Sequence, residues 1–269
     1  MEKLDSQIIG LITDFGARGQ HYVASMKGVI LNINPKANII DIAHNITPFS
    51  IIEAAYIIKS TYSLYPKNTL FIIVVDPGVG SSREIILIRT KSGYFFISPN
   101  NGILKNVFDS NEILKCIHIK NEQYFNTPVS KTFHGRDIMA PIGAYLSKGI
   151  NIDKFGSEFP ITELIDFPIE LKKISDTEIR CTIQYIDEFG NIITNIQGNS
   201  VLLEEDAEMA IKTGEQIIRG NFVKFFEEVF VNSLLFIIGS SGFLEISKNQ
   251  GNIASDLGLK VGDIITIEL

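Results

Sequence analysis

The segment TLFIIVVD, residues Thr69 to Asp76, is the most apolar strand-like stretch of this 269-residue chain. Six consecutive apolar residues end at an aspartate, and the run is too short to cross a membrane as a helix. It therefore predicts a buried strand at the centre of a sheet.

The sequence before this strand alternates between strand and helix patterns. The pattern predicts a strand at 7–13, a helix at 22–33, a strand at 38–44 and a helix at 50–65. This βαβαβ order is typical of a mostly parallel sheet covered by helices. After Asp76 we predict strands at 84–90, 93–98 and 112–119, a short helix near 101–108, and a helix at 135–149 that ends at Gly149.

A change of pattern near residue 160 indicates a second domain. Residues 150–178 contain two prolines and no clean period, which predicts a linker between two domains. Beyond them the chain is nearly all short strands, which we predict at 178–187, 191–196, 207–214, 233–240, 243–247 and 263–269. We predict an N-terminal α/β sandwich domain (1–160), a linker (161–178) and a smaller C-terminal antiparallel β-barrel domain (179–269).

Composition narrows the class of function. Hydrophobic residues make up 45% of the chain and charged residues 20%, as in ordinary globular proteins. The net charge of −7 without a basic stripe argues against a nucleic-acid partner, and no apolar run predicts a membrane span. The N-terminus does not read as a signal peptide. Cys116 and Cys181 stand in apolar contexts, which predicts buried reduced thiols and a cytoplasmic protein.

Familiar cofactor motifs are incomplete. The loop DPGVGSSRE (76–84) lacks the third glycine of a dinucleotide loop, and a strand rather than a helix follows it. The four histidines are scattered and the cysteines are unpaired, so we predict neither a metal site nor a cofactor.

Polar residues at the ends of the predicted strands are the remaining candidates. Asp14 follows the first strand and Asp76 follows the third, and carboxyl ends of parallel strands form the edge where ligands bind. His134, in KTFHGRDIMAP, stands at a helix start. It could act as a base, bind a metal or cap the helix; the helix dipole would favour a neutral imidazole that accepts a hydrogen bond from water.

Six motifs in one order resemble a known family. They are TDFG, VVDPGVGSSR, SPNNG, TFHGRD, DEFGNIITNI and GSSGFLEIS…GNIAS. Together they resemble the S-adenosylmethionine hydroxide adenosyltransferases, or SAM hydrolases, which are related to fluorinase and chlorinase. The resemblance implies a homotrimer in which the N-terminal domain of one subunit meets the C-terminal domain of the next, and hydrolysis of S-adenosyl-L-methionine to adenosine and L-methionine.

The resemblance also implies roles for individual residues. The catalytic set would be Asp76, Arg83 and His134, and Asp14 would hold the ribose hydroxyls. Further substrate-binding candidates by the same resemblance are Phe49, Asp187, Phe189, Asn191, Ser240, Glu245 and Lys248. The chain has Asn100 where hydrolases usually have Asp, and Lys248 where many have an aliphatic residue, which bears on the details of the pocket.

Three other functions stay open on the sequence. A halogenase would use the same scaffold, with a small hydroxyl side chain where this chain has Gly135; the carboxylate of Asp76 would instead repel a halide and favour water. The other two are a non-catalytic protein that binds adenosine or SAM, and a metal-dependent hydrolase.

Overall fold

A computed structural model describes residues 8–201, 204–214 and 216–269. The first residue of the first predicted strand, Gln7, and most of the segment judged not to be a signal peptide lie outside the described residues. The chain divides into two compact units, the first ending at Phe167 and the second beginning at Pro168. This boundary falls inside the segment predicted as a linker.

The first unit contains seven strands and three α-helices among its described residues. In chain order they are β1 (Ile8–Thr13), α1 (Gln20–Ile33), β2 (Asn38–Ala43), α2 (Ile51–Thr61), β3 (Leu70–Val74), β4 (Ile85–Thr90), β5 (Phe95–Pro99), β6 (Ile113–Ile119), α3 (Ala140–Ser147) and β7 (Gly156–Glu158). The predicted βαβαβ order is confirmed.

These strands form one mixed sheet in the order β2-β1-β3-β5-β4-β6-β7. The pairs β1–β2, β1–β3 and β3–β5 are parallel, whereas β4 pairs antiparallel with β5 and β6, and β7 pairs antiparallel with β6. The three parallel pairs are the part of the sheet in which β1 and β3 end side by side.

Strand β3 is apolar throughout because both of its faces are covered. Ile72 belongs to the core on the side of α1 and α3, together with Met26 and Ile142. Phe71 and Ile73 belong to the core on the side of α2. A strand covered by helices on both faces has no position for a polar side chain, which explains the unbroken apolar run.

The second unit is built mainly of strands. They are β8 (Leu171–Lys173), β9 (Glu178–Ile186), β10 (Ile192–Gln197), β11 (Glu208–Thr213), β12 (Gln216–Phe222), β13 (Leu234–Ile238), β14 (Phe243–Lys248) and β15 (Ile264–Glu268), with a short helix α4 (Ile253–Leu257) before β15. The order is β10-β14-β13-β12-β11-β15-β9-β8, and a further pairing of β9 with β10 closes seven strands into a barrel.

The predicted fold class is confirmed, with additions. One pair in the barrel, β12–β13, is parallel. Strand β12 and helix α4 are not among the elements predicted from the sequence. The two cysteines are buried and unpaired, as predicted, and burial raises the pKa of each thiol to about 12. In the described part of the chain, no helix is long and apolar enough to cross a membrane.

Candidate active site

A cavity of about 290 Å³ lies in the first unit, where the parallel strands end. Asp14 follows β1, Asp76 comes two residues after β3, and the register places Thr13 beside Val74. Four of the predicted site residues line this cavity: Asp14, Phe49, Asp76 and His134. The structure therefore brings together residues that are up to 120 positions apart, which is the arrangement expected at the carboxyl edge of a parallel sheet.

Asp76 is held by its own loop. Its Oδ1 accepts a hydrogen bond from the Gly78 backbone N–H at 2.9 Å and lies 2.9 Å from Nε of Arg83 in an ion pair. The side chain of Asp76 is 13% exposed, so water screens this ion pair only weakly. Both contacts use Oδ1.

Arg83 forms an ion pair with Asp76 but is not one of the residues that line the cavity. A Cβ on Gly78 would lie 2.6 Å from Nη2 of Arg83, so the guanidinium packs directly on the glycine. Nη1 of Arg83 also donates to the Asn100 backbone carbonyl at 3.4 Å. This arrangement suits a residue that fixes the orientation of a carboxylate.

His134 lies immediately before one turn of π-helix, Gly135–Met139, which continues into α3. Its side chain makes no capping hydrogen bond, so the interpretation of His134 as a structural cap is wrong. A Cβ on Gly135 would lie 2.8 Å from Cγ1 of Val74. The glycine thus lets the helix start approach the end of β3, beside Asp76.

Arg136 and Asp137 in the same motif have a structural role that the sequence alone does not reveal. Asp137 is fully buried and accepts two hydrogen bonds of 2.7 Å from the neighbouring Arg136. It also accepts from Asn126 Nδ2 at 2.9 Å and from the Ser130 N–H at 2.8 Å. Burial alone would raise the pKa of Asp137, but these hydrogen bonds hold it below the usual value. They tie the preceding loop to the helix start that carries His134.

Asp14 is joined to the loop that precedes α2. Its Oδ2 accepts the Phe49 N–H at 2.8 Å, and Phe49 has a φ of 70°, a region that non-glycine residues rarely occupy. The ring of Phe49 is 65% exposed. Burial, assisted by the nearby charge of Asp76, raises the pKa of Asp14 above its ordinary value, although the Phe49 N–H opposes this.

Three aromatic rings complete the wall next to His134. The ring centroids of Phe15 and Tyr22 lie 5.4 Å apart, and Phe133 lies 5.2 Å from Tyr22 and 5.8 Å from Phe15. All three line the cavity. An apolar wall beside a few polar groups is typical of a small-molecule site.

A second cavity, of about 1060 Å³, lies in the second unit. All six candidates from this half of the chain line it: Asp187, Phe189, Asn191, Ser240, Glu245 and Lys248. Phe189 is 75% exposed, so its ring is accessible for stacking. The structure thus groups the C-terminal candidates around one opening.

Asp187 organises the loop between β9 and β10. Oδ1 accepts the backbone N–H groups of Phe189 at 3.0 Å and Asn191 at 2.9 Å, and Oδ2 accepts from Asn191 Nδ2 at 2.9 Å. Gly190 has a φ of 83°, and a Cβ there would lie 2.1 Å from the Asn252 side chain. The loop is therefore locked in one shape, with Phe189 at its tip.

Glu245 and Lys248 stand on β14. Burial raises the pKa of Glu245, the Ser247 hydroxyl lowers it, and the charge of Asp187 raises it further. Asp187, Glu188 and Glu245 all line this cavity, so its lining is acidic. Nζ of Lys248 donates to Asp256 at 2.6 Å, which neutralises the lysine locally.

Asn100 does not line either cavity. Its Oδ1 accepts the Ile165 N–H at 2.9 Å and its Nδ2 donates to the Glu163 carbonyl at 3.3 Å. An aspartate would lose the second bond, since a carboxylate has no donor. The departure from the family pattern at this position therefore concerns the 163–165 segment.

Within residues 8–201, 204–214 and 216–269, no group of three histidine, cysteine, aspartate or glutamate residues is arranged to hold a metal ion.

Comparisons with known proteins find relatives for both halves of the chain. Models of the SAM hydroxide adenosyltransferase N-terminal and C-terminal domains match residues 9–156 and 181–266. The chain is 40% identical to the (R)-S-adenosyl-L-methionine hydrolase of Methanocaldococcus jannaschii, covering 97% of this chain and 95% of that one. It is 24% identical to a fluorinase of an Actinoplanes species, with 97% of each covered.

A crystal structure of an uncharacterised conserved protein from Thermotoga maritima is also similar. It superposes with a TM-score of 0.89 at 34% identity, covering 97% of this chain and all of the other. Both domain models match in order, and together they span most of the sequence. The chain belongs to the SAM hydroxide adenosyltransferase family.

Proposed function

We propose that this protein hydrolyses S-adenosyl-L-methionine to adenosine and L-methionine, with water attacking the 5′ carbon of the ribose. The observation that carries the proposal is the meeting of Asp14, Asp76 and His134, from three separate parts of the chain, around one cavity. Relatives named (R)-S-adenosyl-L-methionine hydrolase support the reaction. Because "L" already specifies the α-carbon in that name, "(R)" specifies the sulfonium centre, and we propose the same epimer as the substrate.

The chemistry requires an oriented water more than it requires a strong acid. The C5′–S bond breaks with its electron pair passing to sulfur, so methionine leaves as a neutral thioether and needs no protonation. The water oxygen forms the new bond to C5′ and must lose a proton. Asp76, oriented by Arg83, and His134 are the groups that would position this water and accept its proton.

The remaining candidates would bind the two ends of the substrate. One carboxylate can accept hydrogen bonds from both vicinal ribose hydroxyls, which is the role proposed for Asp14, with Phe49 beside it. In the second unit, Asp187 and Glu245 offer negative charge to the methionine ammonium group. Exposed Phe189 offers a stacking surface for adenine and Asn191 a polar partner, with Ser240 and Lys248 completing the contacts.

The proposal includes a homotrimer in which the two cavities that form one site come from different chains. It also includes a cytoplasmic location, which the two buried, unpaired thiols support because they suit a reducing compartment.

A halogenase is less well supported. A side chain at Gly135 would press on Val74, since even a Cβ would lie 2.8 Å from its Cγ1, so this chain lacks room for the small hydroxyl that the halogenase branch carries there. The fluorinase relatives are also more distant than the hydrolase from Methanocaldococcus, at 24% against 40% identity.

The test is to incubate the protein separately with each sulfonium epimer in ¹⁸O-labelled water, with a chelator present. We expect ¹⁸O in the 5′ hydroxyl of adenosine and faster turnover of the (R) epimer. Asp76→Asn is the matched control: turnover should fall by roughly 10²- to 10⁴-fold, as when a positioned base is lost, while adenosine affinity changes little.

Each alternative gives a different result in this experiment. Binding of adenosine without any turnover of S-adenosyl-L-methionine would indicate a non-catalytic binding protein. Activity that disappears with the chelator and returns with a divalent metal would indicate a metal-dependent hydrolase. Release of unlabelled adenosine would rule out attack by water on C5′.

A further inference from the structure

A chain of polar side chains lies behind Asp14 and outside the cavity. Oγ1 of Thr13 lies 3.0 Å from Nδ1 of His44, and Nε2 of His44 lies 2.9 Å from Oδ1 of Asp41. Nζ of Lys27 then donates to Oδ2 of Asp41 at 2.6 Å. None of these four residues lines the cavity, and none belongs to the predicted site.

The directions of these hydrogen bonds follow from Asp41. Burial tends to raise the pKa of this carboxyl, but the bonds from His44 and Lys27 outweigh burial and hold it below its usual value, so Asp41 is an ionised acceptor. Because the Asp41 carboxylate accepts the hydrogen bond from Nε2, a neutral His44 in this pair carries its proton on Nε2. Nδ1 is then the acceptor for the hydroxyl of Thr13.

His44 contacts the chain on both sides of Asp14. Its side chain binds Thr13, the residue before Asp14, and its backbone carbonyl accepts the N–H of Gly16, two residues after it, at 2.7 Å. Thr13 is fully buried and the side chain of His44 is 10% exposed, so water competes little for these bonds. Gly16 has a φ of 65°, which suits a glycine.

The register of the sheet explains this placement. Ile12 of β1 pairs with Ala43, the last residue of β2, after an irregularity between Leu11 and Ile12. The next residues along the chain, Thr13 at the end of β1 and His44 just after β2, therefore come side by side. Asp14 is the first residue beyond the end of β1. A hydrogen bond that holds Thr13 in place therefore also fixes the backbone position from which the Asp14 side chain extends.

We propose that His44 is a positioning residue, held by Asp41, that fixes the Asp14 carboxylate for the ribose hydroxyls through Thr13. The inference rests on the proposed function, in which Asp14 binds the ribose. It adds residues of β1 and the end of β2 to the machinery for substrate recognition.

The test compares the affinities of adenosine and 2′,3′-dideoxyadenosine by calorimetry, because only the first has the hydroxyls that Asp14 would bind. We expect the preference for adenosine to fall about tenfold in His44→Gln and in Thr13→Val, since each loses the link between Nδ1 and the hydroxyl. Gln can still reach Asp41. His44→Asn, whose amide oxygen can take the place of Nδ1, and Thr13→Ser should retain most of the preference.

Turnover gives a second readout. Losing a ribose contact present in both the bound substrate and the transition state should raise KM and leave kcat nearly unchanged. The inference is overturned if His44→Gln and Thr13→Val keep the full preference for adenosine, or if they weaken both nucleosides equally, as a general loss of folding would. If either His44→Gln or Thr13→Val unfolds, the other variant still decides the comparison, because each removes the same hydrogen bond from one side.

Asp14→Ala separates this inference from the proposed function. It should abolish the preference for adenosine. If it does not, Asp14 does not bind the ribose hydroxyls, and that part of the proposed function fails together with the inference. If Asp14→Ala abolishes the preference but the His44 and Thr13 variants do not, the inference alone fails.

Discussion

Asp14 combines two tasks in one side chain, because it lines the cavity and also accepts the N–H of Phe49, whose backbone occupies the left-handed region. A conformation of this kind persists only where surrounding contacts hold it. The loss of Asp14 should therefore disturb the position of Phe49 as well as remove an acceptor. Replacement by asparagine, which keeps an acceptor oxygen for Phe49, is the milder change.

The raised pKa of Asp14 leads to a prediction about pH. Only the ionised carboxylate can accept from both ribose hydroxyls without also acting as a donor, so adenosine affinity should fall as the pH drops through this pKa. Because burial places that pKa above the ordinary value for aspartate, the fall should begin at a higher pH than it would for an exposed aspartate. Calorimetric titration of adenosine from neutral to acidic pH measures it.

Asp14→Asn is the control for this titration. It should bind adenosine more weakly at neutral pH and lose this part of the pH dependence, because the amide does not titrate. Stability responds with the opposite sign: the folded state binds the Asp14 proton more tightly than the unfolded state, so this group favours folding as the pH falls, while adenosine binding weakens. An unchanged pH profile in the variant would show that another group is responsible.

Sequence reasoning found the residues that follow apolar strands and missed those that support them. Asp14 and Asp76 could be predicted because each lies within two residues of the end of a buried strand, and His134 because it stands at a helix start. The link between Thr13 and His44 depends on an irregular register, which no pattern in either strand shows. The pairing of Arg136 with the buried Asp137 was equally hidden, because neighbouring residues on a helix normally point in different directions.

At the scale of elements, the contact between the start of the third helix and the end of β3 sets the geometry of the site. Gly135 makes the contact possible, since any side chain there would press on Val74. Gly80 serves the neighbouring contact: its φ is 82°, and a Cβ would lie 2.1 Å from the Lys131 carbonyl. The Asp76 loop and the His134 segment are thus joined through glycines.

Gly135→Ala tests this contact. The added methyl group should lower the free energy of unfolding by about 1–3 kcal/mol, as overpacking does, and lower kcat by displacing His134. Thermal and denaturant unfolding measure the first effect and steady-state kinetics the second. The double variant Gly135→Ala/Val74→Ala should recover part of the lost kcat, because the smaller residue makes room.

Gly28→Ala is the matched control. Gly28 is exposed within α1, and a Cβ there would meet nothing within 4 Å. The substitution should raise the free energy of unfolding by about 0.4–1 kcal/mol through helix propensity and lower chain entropy, with activity unchanged. If both alanine variants behaved alike, close packing at Gly135 would not be the cause.

Strand β12 and helix α4 were missed because neither shows a clear periodic pattern in its own sequence. Strand β12 reads QIIRGNF, with a glycine inside it, and only Ile218 and Phe222 pack against the barrel core, so its alternation of apolar and polar residues is weak. Its parallel pairing with β13 depends on the long excursion between them, which local patterns do not describe. Helix α4 has five residues, too few for a helical period, although Asn252 caps it through the Ser255 N–H.

At the scale of the whole molecule, the candidate residues divide between two compact units. The first holds the groups proposed for water activation and ribose binding, and the second those proposed for adenine and the methionine ammonium group. The reaction that we propose uses both sets. This division is why the assembly of chains belongs to the function that we propose, and why it can be tested with inactive variants.

The last prediction is that two inactive chains complement each other. Asp76→Asn removes the chemistry of the first unit, and Phe189→Asp places a charge at the exposed aromatic surface of the second. In a homotrimer whose sites combine units of different chains, equal co-expression should restore about a quarter of wild-type activity, because half of the first units and half of the second units are intact at each site. Light scattering should give three times the 29.9 kDa chain mass.

Wild type co-expressed with the double variant is the control: about a quarter of the sites should be intact if they combine two chains, but about half if each lies within one chain. No activity from the complementing pair, together with half activity in the control, would place the complete site in a single chain.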